Sequence, residues 1–599
     1  MKQTLLFSFL FVLAFQVFAQ DKDQRWQGLD EELNEILETW QAASFAVAVV
    51  EKDKVVYAKG FGYADYDNKV KADENTLYAI GSCSKAFTSS LLGLLREDGK
   101  LDFDDSPREY IPELSFYNSE LNDLVTIKDM MSHRTGLPRH DFAWYLFPTD
   151  SKDTLIQRIA HQEPFTGVRE QWYYNNFMFL TQGVIAEKLT GKSWGDNIKE
   201  KLFAPLGMTR SNVSIPELKK SKNVAKGYQV SDDKIKAMDY YRIRAMGPAG
   251  SINSSVNEMA NWMIAWINGG KFEGKEVLPA AYVQEAMSSQ MIVGAATPGA
   301  EYPDLHMANY GYGWFLSSYR GHYRVEHGGN IDGFSANTCF FPSDSVGIVV
   351  LVNQNGSVVP SMVRNTVADR VLGLSKREWS KERKKRADEA AKAQEEASAA
   401  STSNRKEGTK PSHAAEAFAG KYDHPGYGTF RINVKKDSLF AALPLEKLWL
   451  KHYHYNIFQP FSVEEDGIDE ENESPLRFNF ATNDVGDIES VAIKIEPMVD
   501  AIIFKKIPDV IAIEASALEP YIGEYTLGPQ GIKVYTKAGG TLHLFITNQP
   551  EYELQALGQD KFSIKGLDGF VIEFVISDGK AKEAIFRQPN GTFTAKRKQ

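Results

Sequence analysis

The stretch Leu77-Tyr-Ala-Ile-Gly-Ser-Cys-Ser-Lys85 joins a short apolar run to the start of a long apolar helix pattern. Ser82 stands three residues before Lys85, so a helix that begins here places both side chains on one face of its first turn. An uncharged lysine amine in that position can take the proton of the serine hydroxyl. The stretch therefore predicts a nucleophile beside its own base.

Three other segments, which begin at Ser231, Ser403 and Ser577, match the same Ser-x-x-Lys pattern but lie in polar surroundings. The match at Ser82 instead follows a strand-like run and precedes the apolar positions of a buried helix. These positions are Phe87, Leu91, Leu92, Leu94 and Leu95. We therefore interpret Ser82 and Lys85 as the catalytic pair.

Composition limits the class of partner. The chain has 599 residues and a formal net charge of −11, whereas a nucleic-acid-binding protein usually carries a basic face. We expect a small-molecule or peptide partner and no nucleic acid.

The two cysteines, Cys83 and Cys339, are too few for a disulfide scaffold, and the sequence leaves open whether they form a bridge.

The N-terminal residues 1–19 have the pattern of a cleaved secretory signal, in which Lys2 precedes an apolar run and small residues lead up to Gln20. No later segment approaches the roughly 20 apolar residues that a membrane-spanning helix requires. The sequence therefore predicts a protein that is secreted across the inner membrane, into the periplasm, and has no membrane span.

The length predicts two to four domains, at about one per 100–200 residues. Residues 30–373 mix strand and helix signals, and strand-like runs at 45–50 and 347–352 lie near the two ends of this region. We expect one α/β unit whose terminal strands share a sheet.

Residues 374–413 are rich in Lys, Arg, Glu, Ala and Ser. Such a composition cannot bury apolar area, and it predicts a charged linker.

Short alternating segments bounded by Gly, Asp and Asn follow the linker, as is typical of all-β structure. Phe418-Ala-Gly-Lys-Tyr422 is echoed by Tyr521-Ile-Gly-Glu-Tyr525, which indicates two similar domains at 414–507 and 508–599. The alternative is two unrelated strands that share an aromatic residue and a glycine. The sequence leaves open whether these domains cap the cleft, pair subunits in a homo-oligomer or contact peptidoglycan.

A serine and a lysine need further groups to complete acyl transfer, since the lysine must lose about three pKa units to act near neutrality. A segment near residue 174 offers a tyrosine to relay protons and an amide to hold the lysine or a substrate carbonyl. Its Tyr-x-Asn pattern occurs in two overlapping registers and once more elsewhere: Tyr173-Tyr-Asn175, Tyr174-Asn-Asn176 and Tyr66-Asp-Asn68.

The third element is Glu326-His-Gly-Gly-Asn330, just ahead of a strand pattern. Gly328 and Gly329 allow the backbone of a substrate to approach closely. A strand N–H group, such as that of Asn330, can complete an oxyanion hole. This element therefore supplies His327 as a further candidate catalytic residue, and Gly328 and Gly329 as candidate substrate-binding residues.

In this order and spacing the three motifs resemble the serine β-lactamase-related (penicillin-recognising) family, and specifically its branch of class C β-lactamases, D-aminopeptidases and family VIII esterases. The resemblance covers roughly residues 30–370, and in the family alignment Gly183 selects the register of Tyr174 and Asn176. The C-terminal domains resemble lipocalin-like β-domains. Four further phrases support the family: Met131-Ser-His-Arg-Thr-Gly-Leu-Pro138, Pro205-Leu-Gly-Met208, Gly247-Pro-Ala-Gly-Ser251 and Tyr310-Gly-Tyr-Gly-Trp314.

The resemblance implies an α/β sandwich of a mainly antiparallel sheet with helices, in which the nucleophile opens a central helix and faces an edge strand. Ser82 would attack, Lys85 and Tyr174 would manage protons, and Asn176 would orient the lysine and the substrate. The backbone N–H groups of Ser82 and Asn330 would form the oxyanion hole. This chemistry needs no cofactor.

His327 departs from the familiar lactamase pattern, in which a lysine begins the third motif. A largely neutral histidine holds a substrate carboxylate less firmly than an ammonium group does. The departure lowers the case for a dedicated β-lactamase or carboxypeptidase. We expect no metal site at His133 and His140, because no helical His-Glu-x-x-His pattern or carboxylate cluster accompanies them.

Taken together, these patterns predict an exported serine hydrolase that acts through an acyl-enzyme on amide or ester bonds, with peptides containing D-amino acids as one substrate class. The enzymatic alternatives are a carboxylesterase, a β-lactamase and a D-Ala-D-Ala carboxypeptidase. A different class also stays open, namely a catalytically silent envelope-binding protein that keeps the fold.

Overall fold

A computed structural model describes residues 24–598, except 295–297, 300–302, 401–403, 465–466, 471–472, 538–539 and 568. The predicted signal segment 1–19 lies outside the described residues. The chain divides into two compact units. The first unit contains the described residues up to Ala400, apart from Tyr145–Phe147, which group with the second unit.

The first unit is built on a nine-stranded sheet whose neighbouring strands are all antiparallel. Its strands are β1 (Ser44–Glu51), β2 (Lys54–Asp65), β3 (Val70–Lys71), β4 (Met291–Ile292), β5 (Ala308–Tyr310), β6 (Phe315–Tyr319), β7 (His322–Ile331), β8 (Phe334–Phe341) and β9 (Val346–Val352). Their spatial order is β4-β5-β6-β7-β8-β9-β1-β2-β3.

Strands β1 and β9 pair from Phe45 opposite Val352 to Glu51 opposite Val346. The two ends of the α/β unit therefore share a sheet, as the sequence predicts. Both strands read as continuous apolar runs because helices cover both faces of the sheet at this position.

The first unit has longer helices, some of which pack on one face of the sheet and some on the other. They are α1 (Leu29–Thr39), α2 (Ser84–Glu97), α3 (Asn176–Thr190), α4 (Val256–Ile267), α5 (Val359–Val371) and α6 (Trp379–Ala400). Shorter helices span Pro107–Tyr110, Ser119–Leu124, Ile127–Met131, Phe142–Tyr145, Lys152–Arg158, Trp194–Ile198, Ile215–Lys220, Gly247–Gly250 and Ala280–Ala286.

Two packed layers fix the position of α2. On one face of the sheet, α1 and α5 share an apolar core with β1, β8 and β9. On the other face, α4 packs on β1 and β9, and its Trp262 stacks on Phe87 of α2 with ring centres 4.0 Å apart. Almost every side chain of α2 is buried, so the helix that follows Ser82 is the predicted central helix.

The core of the first unit continues into the predicted linker. Trp379 at the start of α6 is only 4% exposed, and its indole N–H donates to Asp369 Oδ2 at 2.8 Å. The side chain belongs to the same apolar core as Phe45 and Val352. The charged composition of residues 374–413 conceals this buried tryptophan.

The second unit contains two closed eight-stranded antiparallel barrels, as the prediction of two all-β domains requires. The first barrel has strands Gly420–His424, Gly428–Lys435, Ser438–Ala442, Lys447–His454, Ile457–Ser462, Phe478–Thr482, Ile488–Ile493 and Ile502–Ile507. The second has strands Gly523–Leu527, Gln530–Lys537, Thr541–Ile546, Glu551–Gly558, Lys561–Ile564, Val571–Ser577, Lys580–Gln588 and Gly591–Arg597.

The repeated sequence marks the same structural position in both barrels. The Tyr422 hydroxyl donates to the carbonyl oxygen of Phe418 at 2.8 Å, and the Tyr525 hydroxyl donates to that of Tyr521 at 2.8 Å. Both tyrosines are fully buried in the first strand of their barrel. The echo in the sequence therefore reflects two copies of one architecture.

Candidate active site

Ser82 lies in a single 3₁₀ turn, Gly81–Cys83, immediately before α2. Lys85 is in the first turn of α2 and is fully buried, whereas Ser82 is partly exposed. The Lys85 Nζ and Ser82 Oγ atoms are 3.0 Å apart. The structure therefore brings the predicted nucleophile and base into hydrogen-bond contact.

The other contacts of Lys85 orient its amine. Nζ donates to Asn176 Oδ1 at 2.7 Å and to the carbonyl oxygen of Ala249 at 2.8 Å. Both atoms only accept hydrogen bonds. A neutral amine has two N–H bonds and one lone pair, so these acceptors take both N–H bonds and leave the lone pair directed at the Ser82 hydroxyl.

Burial supports the neutral form of Lys85. Loss of hydration is the largest influence and holds the pKa of Lys85 well below its ordinary value. The charge of Asp141 acts in the opposite direction and raises this pKa, while the nearby Arg139 lowers it. A lysine with a lowered pKa is available as a base near neutral pH.

The start of α3 resolves which tyrosine and asparagine face this pair. Asn175 caps the helix, since its Oδ1 accepts from the Met178 N–H group at 3.2 Å. Asn176 points to Lys85. Tyr173 turns outward, and its hydroxyl donates to Gln171 Oε1 at 2.7 Å. The structure brings the register of Tyr174 and Asn176, rather than that of Tyr173 and Asn175, to the Ser-Lys pair.

Tyr174 lies over the amine of the base. Lys85 Nζ is 4.6 Å from the centre of the Tyr174 ring, so the phenol lies beside the Ser-Lys pair. Burial raises the pKa of Tyr174 above its ordinary value, so the phenol is neutral at neutral pH. A neutral phenol can accept a proton on one side and donate one on the other.

Strand β7 lies directly against the turn that carries Ser82. A Cβ atom on Gly329 would overlap the carbonyl oxygen of Ile80. Gly81 has φ +50°, and a Cβ atom there would come within 2.8 Å of the backbone nitrogen of Asn330. The segments that carry the predicted oxyanion-hole donors, the N–H groups of Ser82 and Asn330, therefore face each other closely.

The expected edge strand is an edge only in part. Strand β7 lies inside the sheet, between β6 and β8, but β6 pairs with it only from His322 to Glu326. The remainder of β7, from His327 to Ile331, pairs with β8. The shorter length of β6 thus leaves one side of the Gly328–Asn330 backbone facing the turn Gly81–Cys83 that carries Ser82.

His327 is almost fully buried, at 1% exposure. Its Nδ1 is 2.6 Å from the carbonyl oxygen of Gly328 and must donate the proton there. Its Nε2 therefore accepts from the Tyr310 hydroxyl at 2.9 Å. Burial lowers the pKa of His327 to about 3, so this side chain is neutral and both of its nitrogens are bound by the protein.

Comparison with known proteins shows the family of the chain. A family model described as Beta-lactamase matches residues 29–372, which are more than half of the chain. The chain belongs to the β-lactamase family. A second model, described as a domain of unknown function (DUF3471), matches residues 404–506 in the region of the first barrel.

Two proteins from other organisms are similar in sequence to this chain. An unguisins hydrolase of Aspergillus campestris is 28% identical over 349 residues, which cover 55% of this chain and 61% of that protein. Protein flp of Staphylococcus aureus is 26% identical over 350 residues, with coverage of 57% and 65%. The chain thus spans about three fifths of the length of these relatives.

A solved structure shares the fold. The octameric penicillin-binding protein homologue from Pyrococcus abyssi superimposes with a TM-score of 0.54 at 20% sequence identity, over 80% of this chain and 99% of that one.

Among the described residues of the present protein, every helix is too short or too polar to span a bilayer.

Three residues near the site, Asp141, His133 and Tyr310, have contacts that the sequence motifs did not predict. Asp141 Oδ1 accepts from Asn176 Nδ2 at 2.7 Å. His133 Nδ1 accepts from the Asn175 N–H group at 3.1 Å, and its ring lies 4.4 Å from that of Tyr174. His133 lies within Met131–Pro138, Asp141 follows that segment by three residues, and Tyr310 begins the segment Tyr310–Trp314. The sequence of these segments does not show what their residues contact.

His140, Cys83 and Cys339 are buried in the interior of the first unit. His140 Nε2 lies 2.9 Å from the carbonyl oxygen of Glu163, and burial lowers its pKa to about 4. Both Cys83 and Cys339 are buried free thiols, which answers the open question of a bridge. Across the part of the chain that the structure describes, three or more His, Cys, Asp or Glu side chains nowhere gather as a metal site would need.

The close approach of β7 to the turn Gly81–Cys83 predicts that substitutions of Gly329 and Gly328 have different effects on activity. We expect Gly329→Ala to lower kcat/KM by about 100-fold or more, because the overlap with Ile80 must displace one segment and a shift of about 1 Å has that effect. Steady-state kinetics on any turned-over ester or amide measure it.

Gly328→Ala is the matched control. A Cβ atom on Gly328 meets only the carbonyl oxygen of Ala336, at 3.8 Å, so the turn that carries Ser82 stays in place. Because Gly328 is a candidate substrate-binding residue, we expect a clearly smaller loss than in Gly329→Ala, and one that appears in KM rather than in kcat. Circular dichroism and thermal melts establish that both variants fold. Equal losses in the two variants would show that the close approach at Gly329 has no catalytic importance.

Proposed function

We propose that this protein is an exported serine hydrolase that acts through an acyl-enzyme on amide or ester bonds. The observation that carries the proposal is the contact of 3.0 Å between Ser82 Oγ and a buried Lys85 amine whose N–H bonds are directed elsewhere. Export rests on the signal pattern of residues 1–19 alone.

In the proposed acylation, Ser82 Oγ attacks the carbonyl carbon of the substrate while its proton passes to Lys85 Nζ. The N–H groups of Ser82 and Asn330 stabilise the oxyanion, and each such donor contributes about 3–4 kcal/mol. The proton then reaches the leaving group through Tyr174, and the carbon–nitrogen or carbon–oxygen bond breaks. Water repeats the sequence on the acyl-enzyme and frees Ser82.

Peptides that contain D-amino acids are the proposed amide substrates, on the resemblance to the D-aminopeptidase branch. A carboxylesterase is the second candidate, and one observation favours it over a β-lactamase or a D-Ala-D-Ala carboxypeptidase. His327 is neutral and buried, and both of its nitrogens are bound by Gly328 and Tyr310. It therefore supplies no cation for a substrate carboxylate at the position where lactamases carry lysine.

We propose self-association on one ground, that the similar protein of Pyrococcus abyssi is described as octameric. Light scattering would measure the oligomeric state of this protein. The barrels are the proposed elements for contacts with other copies of the chain or with peptidoglycan. A catalytically silent envelope-binding protein remains the non-enzymatic alternative, and it predicts no reaction with serine-directed probes.

The test compares three substrate classes on the full chain. We expect a fluorophosphonate to add one probe mass to the peptide that contains Ser82. We also expect kcat/KM for penicillins and cephalosporins to lie about 10- to 100-fold below that for short acyl esters or D-aminoacyl amides, because a charged hydrogen bond to the carboxylate is absent at His327.

Two results would contradict the proposal. An unlabelled, folded protein would favour the silent envelope-binding class. Faster hydrolysis of β-lactams than of every ester or amide tried would mean that another group binds the carboxylate, and that the argument from His327 is wrong.

A further inference from the structure

The amide of Asn176 is held at both ends. Its Oδ1 accepts from Lys85 Nζ at 2.7 Å, and its Nδ2 donates to Asp141 Oδ1 at 2.7 Å. An asparagine amide has nearly the same shape in its two flipped orientations, which differ only in which end carries the donors. A carboxylate only accepts, so Asp141 admits the NH₂ end and directs the amide oxygen to Lys85.

Asp141 is itself fixed from two sides. The same Oδ1 accepts from the indole N–H group of Trp144 at 2.9 Å. The other oxygen, Oδ2, accepts from Arg139 Nε at 2.6 Å in an ion pair. The guanidinium of Arg139 lies 4.8 Å from the centre of the Tyr174 ring. A chain of direct contacts therefore runs from Arg139 through Asp141 and Asn176 to Lys85.

We propose that Asp141 is a positioning residue that orients the Asn176 amide, and through it the lone pair of Lys85, with Arg139 as its counter-charge. The inference rests on the proposed function, because it concerns Lys85 as the base for Ser82. If Asp141 were absent, the amide would be free to turn its NH₂ group towards Lys85. Two donors would then face each other, and the amine would have to rotate its lone pair away from Ser82.

The charges of Asp141 and Arg139 act on the pKa of Lys85 and provide a second way to test the proposal. Asp141 raises the pKa of Lys85, and Arg139 lowers it, within the larger effect of burial. Removal of each charge should therefore move the pKa of Lys85 in opposite directions. The other titratable groups around Lys85 stay in place in both variants: Cys83, His133, Tyr174 and His327.

The experiment measures kinact/KI for a fluorophosphonate from acid to alkaline pH, on the full chain and its variants. Asp141→Ala should lower the plateau by about 10- to 100-fold, as losses of such outer contacts do. Asp141→Asn keeps an oxygen that can accept from Asn176, so it should recover most of the plateau. Its acidic limb should move to lower pH, because Lys85 has a lower pKa once the charge of Asp141 is removed. Arg139→Gln should move the acidic limb to higher pH.

Asp123→Asn is the matched control. Asp123 is exposed on the helix Ser119–Leu124, and loss of the same formal charge there should leave both the plateau and the acidic limb unchanged. Thermal melts identify folded variants. If Asp141→Ala fails to fold, the opposite shifts of the Asp141→Asn and Arg139→Gln limbs still decide the question.

The outcomes separate this inference from the proposed function. Labelling that survives Ser82→Ala would overturn the proposed function itself. Labelling that depends on Ser82, combined with identical acidic limbs in all variants or an Asp141→Asn plateau as low as that of Asp141→Ala, would overturn only the role of Asp141.

Discussion

Replacement of Ser82 by alanine should remove covalent labelling and lower turnover by about 10⁴-fold or more. Ser82 Oγ is the oxygen in contact with the Lys85 amine, and a serine hydrolase without its nucleophile keeps only the contributions of binding and the oxyanion hole. Intact-mass spectrometry after fluorophosphonate treatment measures the adduct, and steady-state hydrolysis measures turnover. The partly exposed position of Ser82 predicts an almost unchanged melting temperature.

Ser231→Ala is the control for this prediction, because Ser231 and Lys234 carry the same pattern. They lie opposite each other at the end of a two-stranded hairpin, outside any helix. We expect full labelling and full turnover from this variant. A fluorophosphonate adduct on the Ser82→Ala protein, or equal losses in both variants, would refute the assignment of the nucleophile.

The contrast between these matches shows what a local pattern can predict. Ser577 and Lys580 also lie opposite each other across a hairpin, while Ser403 falls outside the described residues. The apolar positions after Ser82 predicted a buried helix, and α2 is one. Helical periodicity and burial depend on neighbours within a few residues, so the sequence alone separates the match that opens a buried helix from the other matches.

Strand patterns were informative for the same reason. The continuous apolar runs at 45–50 and 347–352 predicted strands at the two ends of one sheet, and they pair as β1 and β9. The alternating segments after the linker predicted all-β domains, and the structure closes them into two barrels. Alternation reports that one face of a strand is buried, but the partner strand and the closure depend on contacts across the whole domain.

The contacts that finish the site depend on chain segments far apart in sequence. Asn176 and Asp141 are separated by 35 positions, and Asn175 and His133 by 42. No local period links residues at such distances. The family resemblance supplies the roles proposed for Ser82, Lys85, Tyr174 and Asn176, but Asp141 becomes visible only when α3 places Asn176 beside it.

Burial is the second property that the sequence did not provide. His327 was expected to meet the substrate carboxylate, yet the structure surrounds it with aromatic rings and binds both of its nitrogens. Trp379 was hidden in a charged segment, yet it completes the core of the first unit. Single residues of this kind carry no periodic signal, so only their contacts reveal their roles.

Tyr174→Phe should lower kcat by about 10²- to 10⁴-fold, the usual contribution of a proton-transferring side chain. The substitution keeps the ring that lies over Lys85 and removes only the phenol hydroxyl. Burial keeps that phenol neutral, so it transfers a proton between Lys85 and the leaving group without ionising. Pre-steady-state kinetics with a chromogenic ester measure acylation and deacylation separately, and both steps should slow.

Tyr173→Phe tests the register with the same chemical change one position earlier. The Tyr173 hydroxyl bonds only to the exposed Gln171 side chain, so its loss should leave kcat within about twofold of the wild type. The two variants remove the same oxygen from adjacent residues, and only the helix start at Asn175 turns one of them inward. A large loss in Tyr173→Phe with near-normal kcat in Tyr174→Phe would therefore mean that α3 begins in a different register from the one that the structure shows.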